Sequence, residues 1–464
     1  MTGRFITCLT LLFPASFVFA ATLHVPTQYE SIQEAIDAAS SGDSICVANG
    51  TYLGPSNCNL DLKGKTLTIC SKNGPDTCLI DCEQTSHVIH FETRNGESSF
   101  VGFSVRNARS RYGAVTCSGG SPLIRNCEFI DCYSLDHGAA LYVSDSRARI
   151  EDCRFIRNHA VHSAGAVYVY HHSDVVISNC YFLENYAGHT GGAIWCEYAD
   201  AEITGCAIVR NRSEWGGGGI TIHDGFMRIR NCTIAANTSN DQGGAIKTDS
   251  SFDALNTILW CNAPDTFDFE GSITPRIEFS AIQGGYEGLG NISADPLFSS
   301  GNFHLAADSP CIDAGRTDAT QSVDLDRSLR PQGESTDIGA YEYPGLPMRT
   351  RVTMHMPAHS FHTSDPSSCT ASVWNVGNTT PEDTRLFVLL ELHGAFLFAP
   401  SFGPYDFYER SFPNGMTIVD VLPDFYWPEG IGSGTGAVWY AALVDHDMTK
   451  LCSEVGIFDF DYSE

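Results

Sequence analysis

Short apolar runs return on a fixed beat through the middle of the chain. Leu123-Ile-Arg-Asn-Cys-Glu-Phe129 is echoed by Arg149-Ile-Glu-Asp-Cys-Arg-Phe155, Val176-Ile-Ser-Asn-Cys-Tyr-Phe182, Glu202-Ile-Thr-Gly-Cys-Ala-Ile208 and Arg228-Ile-Arg-Asn-Cys-Thr-Ile234. The central residues Cys127, Cys153, Cys180, Cys206 and Cys232 are 26, 27, 26 and 26 positions apart. A second motif keeps the same beat: Gly138-Ala139, Gly165-Ala166, Gly192-Ala193, Gly218-Gly219 and Gly244-Ala245 each open a short β-rich run. A third consists of Asp131, Asn158, Asn185, Asn211 and Asn237. Three motifs at one period predict a solenoid with three short segments per turn.

The physical reason is the ~4.8 Å spacing of neighbouring strands: when each coil lies on the last, equivalent side chains sit above one another. Cysteines and aliphatic residues then pile up inside as small hydrophobes, amides at a bend form a hydrogen-bonded column, and glycine at the Gly-Ala corner permits an unusual backbone angle. No Leu-x-x-Leu-x-Leu frame, Gly-Gly-x-Gly-x-Asp nonapeptide or hexapeptide period is found, so a right-handed parallel β-helix is the fold expected. Weaker coils extend upstream through Phe100 to Asn107 and Leu67 to Cys70, and downstream through Ile258 and Ile277. They predict roughly nine or ten coils and a rod about 40–50 Å tall.

Arg4, the apolar stretch from Phe5 to Phe19 and Val18-Phe19-Ala20 read as a cleavable secretory signal over 1–20. That places the chain outside the cell, secreted or at the cell surface. No other stretch is long and apolar enough for a membrane span. Among 464 residues there are 27 Lys plus Arg against 55 Asp plus Glu, a net charge of −28 that becomes −29 without Arg4. A field this negative repels nucleic acid and anionic surfaces, and any anionic partner needs bridging cations. Cleavage removes Cys8 and leaves seventeen of the 18 cysteines. Cys369 and Cys452, the only pair in the last hundred residues, are the disulfide expected of an exported chain. Pairings among Cys46, Cys58, Cys70, Cys78 and Cys82 stay open.

Two further segments carry a resemblance. Val25-Pro-Thr-Gln-Tyr-Glu-Ser-Ile-Gln-Glu-Ala-Ile-Asp-Ala-Ala39, followed by Gly42-Asp43 and Asn49-Gly-Thr-Tyr52, resembles the entry segment of the pectin-lyase-like superfamily of right-handed parallel β-helix repeat proteins. Its amphipathic helix, with Ile32, Ala35, Ile36 and Ala39 on one face, would cover the open first coil. Asp295-Pro-Leu-Phe298, Ser309-Pro-Cys-Ile-Asp-Ala-Gly315, Asp324-Leu-Asp-Arg327 and Asp337-Ile-Gly-Ala-Tyr-Glu342 resemble the terminal module of bacterial surface β-helix proteins and would cap the last coil. The resemblance covers about residues 22–345, giving a β-helix over 21–345 with its cap at about 295–345. Residues 346–464 change to longer β-rich runs, including Leu386 to Leu392 and Ala437 to Val444, and predict a small β-sandwich-like domain.

Superfamily members include polysaccharide lyases, glycoside hydrolases, esterases and epimerases as well as passive adhesins, so fold alone does not fix chemistry. The sequence has no Trp-Ile-Asp-His, Arg-x-Pro-x-x-Arg, Gly-His-Gly or Arg-Ile-Lys motif, and no catalytic set carries over. The two-residue alternation of the Gly-Ala strand, with Val167, Ile194, Ile220 and Ile246 inward, instead predicts two outward columns: Leu141, Tyr168, Trp195, Thr221, Lys247, and Val143, Tyr170, Glu197, His223, Asp249.

Aromatic planes stack on sugar rings, and carboxylates with an imidazole move protons. Glu197 and Asp249, two rungs apart at about 9–10 Å between backbones, are the expected acid and base, with His223 between them; the rung spacing approaches the ~6.5–9.5 Å carboxyl separation of inverting glycosidases. Trp195, Tyr168, Tyr170 and Lys247 are the expected substrate contacts. Calcium is the cofactor to consider, on the acidic cluster Asp313, Asp318, Asp324, Asp326 and Asp337, set against turn-capping aspartates. His162, His189 and His171-His172 lack a third zinc ligand of firm spacing. The expected function is a monomeric extracellular protein that binds polysaccharide, and whether it also processes it, as a lyase or hydrolase of this fold, stays open; the alternative is a non-enzymatic adhesin or surface-display protein.

Overall fold

A computed structural model describes residues 20–92, 96–299, 302–317, 321–333 and 335–344, together with nine strands between 351 and 463. The expected signal segment lies outside the described residues save for Ala20. About ten coils of roughly 26 residues stack into a parallel β-solenoid. One winding from the middle runs Val167–Tyr170, Asp174–Ser178, Tyr181–Leu183 and Tyr186–Ala187 before the next opens at Ile194. Stacked copies of these four segments form parallel sheets of nine, eleven, ten and six strands.

Four segments per turn replace the three expected. The extra one is only two residues long, too short to show any alternation in sequence.

The interior follows the repeat. Each cysteine thiol of the column accepts the backbone N–H of its counterpart one coil earlier, as in Cys153 N to Cys180 Sγ at 3.5 Å and Cys180 N to Cys206 Sγ at 3.3 Å. Burial pushes the Cys127, Cys180 and Cys232 thiols well up, so they are inert small hydrophobes. Phe129, Phe155 and Phe182 stack in a second file with centroids 5.4 and 4.6 Å apart. Asn158, Asn185, Asn211, Asn237 and Asn262 form the amide ladder, each Nδ2 donating to the next Oδ1 at 2.9–3.0 Å. Asp131 is not its first rung: it points out to Arg157, and Cys132 occupies that place, its N–H donating to Asn158 Oδ1.

The Gly-Ala corner meets its expectation only in part: Gly138 has the left-handed angle, φ 59°. Gly165, Gly192 and Gly218 do not have positive φ; a Cβ on them would lie 2.2, 2.0 and 2.5 Å from the carbonyl oxygen of the glycine one coil on. Glycine is required there because successive coils approach closely.

Both solenoid flanks are managed. Helix α1, Ile32–Ala38, is N-capped by Ser31 and buries Ile32, Ala35 and Ile36 against the first coils, as its apolar face predicts. The described residues between 302 and 344, within the segment of about 295–345 expected to close the last coil, pack on Ala281 and Ile292 of the last windings and also reach back along the side of the rod as a clasp. Arg327 pairs with Asp152, Gln321 hydrogen-bonds both Asn179 and Asn231, Ala340 N donates to Thr233 Oγ1, and Arg316 meets Glu278.

The clasp covers Ala207, Val209, Ala235 and Ile258 with Tyr341, Ala340 and Ile338. Under it the strands read Ala207-Ile-Val, Thr233-Ile-Ala and Ile258-Leu-Trp: nearly continuous apolar runs, broken only by Thr233, whose hydroxyl the clasp engages, as expected of strands covered on both faces.

The strands after 350 pair mainly antiparallel. Arg351–His355, Pro366–Asn375 and Gly415–Tyr426 form one sheet; Ser360–His362, Gly456–Ser463, Gly434–Val444, Arg385–Leu392 and Ala395–Ala399, with Tyr408–Glu409 alongside, form another. Cys452 lies outside the described residues, so the expected Cys369 to Cys452 bond is not placed. No disulfide is present among the described residues; the Cys58 and Cys82 sulfurs are 2.9 Å apart.

Candidate functional site

The nine-stranded sheet carries the expected outward chemistry, in a corrected register. Val115, Leu141, Val167, Ile194, Ile220 and Ile246 align, as do Cys117, Val143, Val169, Cys196, Ile222 and Thr248, and both files point inward. Leu141 and Val143 are thus core residues. Their places in the outward columns belong to Tyr142 and Ser144, because an additional alanine, Ala140, follows Gly138-Ala139 and offsets that strand by one residue. The outward files are Tyr142, Tyr168, Trp195, Thr221, Lys247, Asp268 and Ser144, Tyr170, Glu197, His223, with Asp249 next.

Five of the expected site residues converge. Trp195, Glu197, His223, Lys247 and Asp249 line one open groove of about 300 Å³, together with His189, Thr190, Trp215, Thr221, Asp241 and Glu270. Tyr168 does not serve as a platform. It is only 3% exposed, its ring packed among His137, Tyr142, Tyr170 and Trp195 at 4.8–5.4 Å, and its hydroxyl donates to Glu197. Burial, then the Glu197 carboxylate, push the phenol far up, so the proton stays on tyrosine. Tyr170 stacks on Tyr168 beside the groove and does not line it.

His223 Nδ1 contacts Asp249, and its ring edges against Tyr198 at 5.4 Å. Burial would raise the Asp249 carboxyl, but the Ser250 hydroxyl at 2.7 Å, the Asp224 N–H at 3.0 Å and the His223 ring outweigh it and hold Asp249 below its ordinary value. Lys247 is tied to Glu270 at 2.9 Å and Asp268 at 3.1 Å; these carboxylates overcome burial and raise its ammonium. It is a neutralised cation and offers little to an anionic ligand.

The wall toward the six-stranded sheet is a ladder the sequence only half disclosed. Backbone bonds link Asp136, His162, His189 and Trp215 coil by coil at 2.8–3.0 Å. Trp215 is 60% exposed and stacks on His189 at 5.0 Å. Its position, 26 residues after His189 and before Gly216-Gly217, was the available signal. Asp136 Oδ1 receives His162 Nδ1 at 2.9 Å and His137 Nε2 at 3.1 Å, and burial pulls the His137 ring down toward its neutral form.

The expected calcium ligands do not meet. Asp324 accepts the backbone N–H groups of Ser328 and Glu342, Asp313 accepts that of Ser335, and Asp326 contacts His304 at 2.6 Å. Asp337 caps Asp313 and Tyr343, and Asp318 lies outside the described residues. These are turn-capping carboxylates. Among them sits one buried ion pair, Arg330 with Glu342 at 2.8 Å, both at most 1% exposed. Desolvation lowers the guanidinium and raises Asp324, Asp337 and Glu342.

Among the described residues, no helix is long and apolar enough to cross a membrane. No curated protein and no solved structure matches the chain. Residues 87–259 match the family model described as a right handed beta helix region, the stretch that holds the cysteine column, the asparagine column as far as Asn237 and most of the groove. On that match and on its stacked parallel coils, the chain is a β-helix repeat protein.

Proposed function

We propose that this β-helix acts outside the cell as a carbohydrate-binding protein, with a neutral glycan lying along the groove of the nine-stranded sheet. One observation carries the reading: Trp195 and the exposed Trp215 line the same groove as Glu197, Asp249, Asp241 and Thr221. Indole faces offer apolar surface to sugar rings, and the carboxylates accept hydrogen bonds from sugar hydroxyls. The net charge of −28 and the neutralised Lys247 favour a neutral chain over a polyuronate. The apolar stretch after Arg4 supports export, and the entry and exit segments support a place among pectin-lyase-like proteins with a surface-protein terminal module.

A second reading, acid–base cleavage, draws on the file Glu197, His223, Asp249. The engagement of Glu197 by Tyr168 and of Asp249 by His223 and two further donors favours holding over cutting.

The test is a glycan array on the mature protein, followed by titration of the best neutral hit. Trp215→Ala should weaken that binding at least about tenfold, a loss of ~1.4 kcal/mol. Unchanged affinity in both Trp215→Ala and Trp195→Ala moves the site elsewhere, and an empty array replaces the reading with a protein-binding adhesin. Release of reducing ends that is abolished in Glu197→Gln establishes the cleavage reading.

A further inference from the structure

Three clusters of metal-ligating side chains occur on the described coils: Asp136, His137 and His162; His223, Asp224 and Asp249; Asp145, His171 and His172. Elementary imidazole chemistry separates them. In the first, the Ser163 N–H points at His137 Nδ1 at 3.3 Å, which makes Nδ1 an acceptor and puts the proton on Nε2, where it is donated to Asp136. The nitrogen that would bind metal is the protonated one. In the second, a single imidazole spans two carboxylates, Nδ1 toward Asp249 and Nε2 toward Asp224 at 3.7 Å, and opposite ring edges cannot face one ion.

In the third cluster His171 Nδ1 also faces a carboxylate and carries the proton, but among the described residues no N–H is aimed at the Nε2 of either histidine, so the proton can shift to Nε2 and leave Nδ1 to a metal. His171 Nδ1 and His172 Nδ1 stand 3.1 and 3.6 Å from the same oxygen, Asp145 Oδ1, and the two rings lie 3.9 Å apart. Ser144 Oγ holds the other carboxylate oxygen at 3.0 Å. The main chain fixes both histidines, His171 N on Glu197 O at 3.0 Å and His172 N on Tyr198 O at 2.9 Å.

The repeat explains how the second ring gets there. Five residue steps separate the paired positions Ser144 and Arg149 on one coil, and Glu197 and Glu202 two coils on, but six separate Tyr170 and Val176 on the coil between. The one-residue insertion that makes this the 27-residue coil falls in the His171-His172 turn, where both residues take left-handed angles, φ 41° and 50°. Two imidazoles and a carboxylate, held on adjacent coils and open to solvent, are a ligand set suited to zinc, copper or nickel.

We propose that Asp145, His171 and His172 form a binding site for a divalent transition-metal ion, zinc in the first instance, with its remaining coordination positions open. The site shares no side chain with the glycan groove. Calorimetric titration of the tag-free mature protein with Zn²⁺ at neutral pH should give one saturable site, and Cu²⁺ substituted there should show hyperfine coupling to two imidazole nitrogens by electron paramagnetic resonance. His171→Ala and His172→Ala should each weaken Zn²⁺ binding at least about tenfold, while His162→Ala leaves it unchanged.

Deletion of His172 restores the five-step spacing, so the coil should keep its circular dichroism and unfolding midpoint and lose the metal. Absence of saturable binding, or equal affinity in the His171→Ala, His172→Ala double variant, overturns the proposal. So does loss of binding in His162→Ala with retention in the double variant.

Discussion

Asn185 sits wholly inside the rod, yet its amide is fully used. Nδ2 donates to Asn211 Oδ1 and to Phe155 O, each at 2.9 Å, while Oδ1 takes both the N–H and the Nδ2 of Asn158. Asn185→Ala strands the Asn158 N–H and takes a donor from Phe155 O and from Asn211 Oδ1, at about 1–3 kcal/mol for each buried group left unpaired. We expect a loss of about 3 kcal/mol or more, read as a lower urea midpoint.

Residues of this kind were legible in the sequence, because a column repeats the same letter at the same interval. Asp131 was misread for the same reason, since an acid at the expected interval resembles an amide until its neighbour Arg157 is seen to draw it outward. The burial of Tyr168 was not legible at all. It depends on His137 and Trp195, which reach it from a turn and from the next coil.

At the level of elements, alternation disclosed the long strands and the amphipathic face of α1, and failed where elements are two residues long or where the chain folds back on itself. The motifs between Asp324 and Glu342 were visible without their purpose. In the structure they assemble the Arg330 and Glu342 pair and surround it with capped carboxylates that anchor the clasp. Arg330→Met leaves a buried, uncompensated Glu342 and should cost about 3–5 kcal/mol. Adding Glu342→Gln in the same chain should recover part of that loss, because the unpaired charge goes with it. Comparing the urea midpoints of the single and double variants checks both statements.

For the whole molecule, acidity acts in opposite directions on rod and clasp. Burial lowers His87, His137, His159 and His189. The unfolded chain therefore takes up protons near the ordinary histidine value of ~6.5 that these rings accept only at lower pH, and rod stability falls as pH drops below that value. Asp136 and Asp249, held down, extend the loss below the usual carboxylate value of ~3.9. Asp324, Asp337 and Glu342 are raised, so the folded clasp takes up protons before the unfolded chain does and gains on acidification. Hydrogen exchange at pH 7 and pH 5.5 should show protection decreasing around His137 and holding or increasing around Asp337. Uniform loss across both regions contradicts this. His137→Asn should flatten the response of its own coils.

A column of stacked rings invites failure one ring at a time from an open end, as beads slip from a string. The described residues between Asn302 and Pro344 cross that route: they are fastened at Asp152, Asn179, Thr233, Asn256 and Glu278, so coils that never touch share these anchors. Tension drawn along the rod axis is then shared by several rungs, and peeling the last windings has to break the strap's hold on Asn256, Ile258 and Glu278.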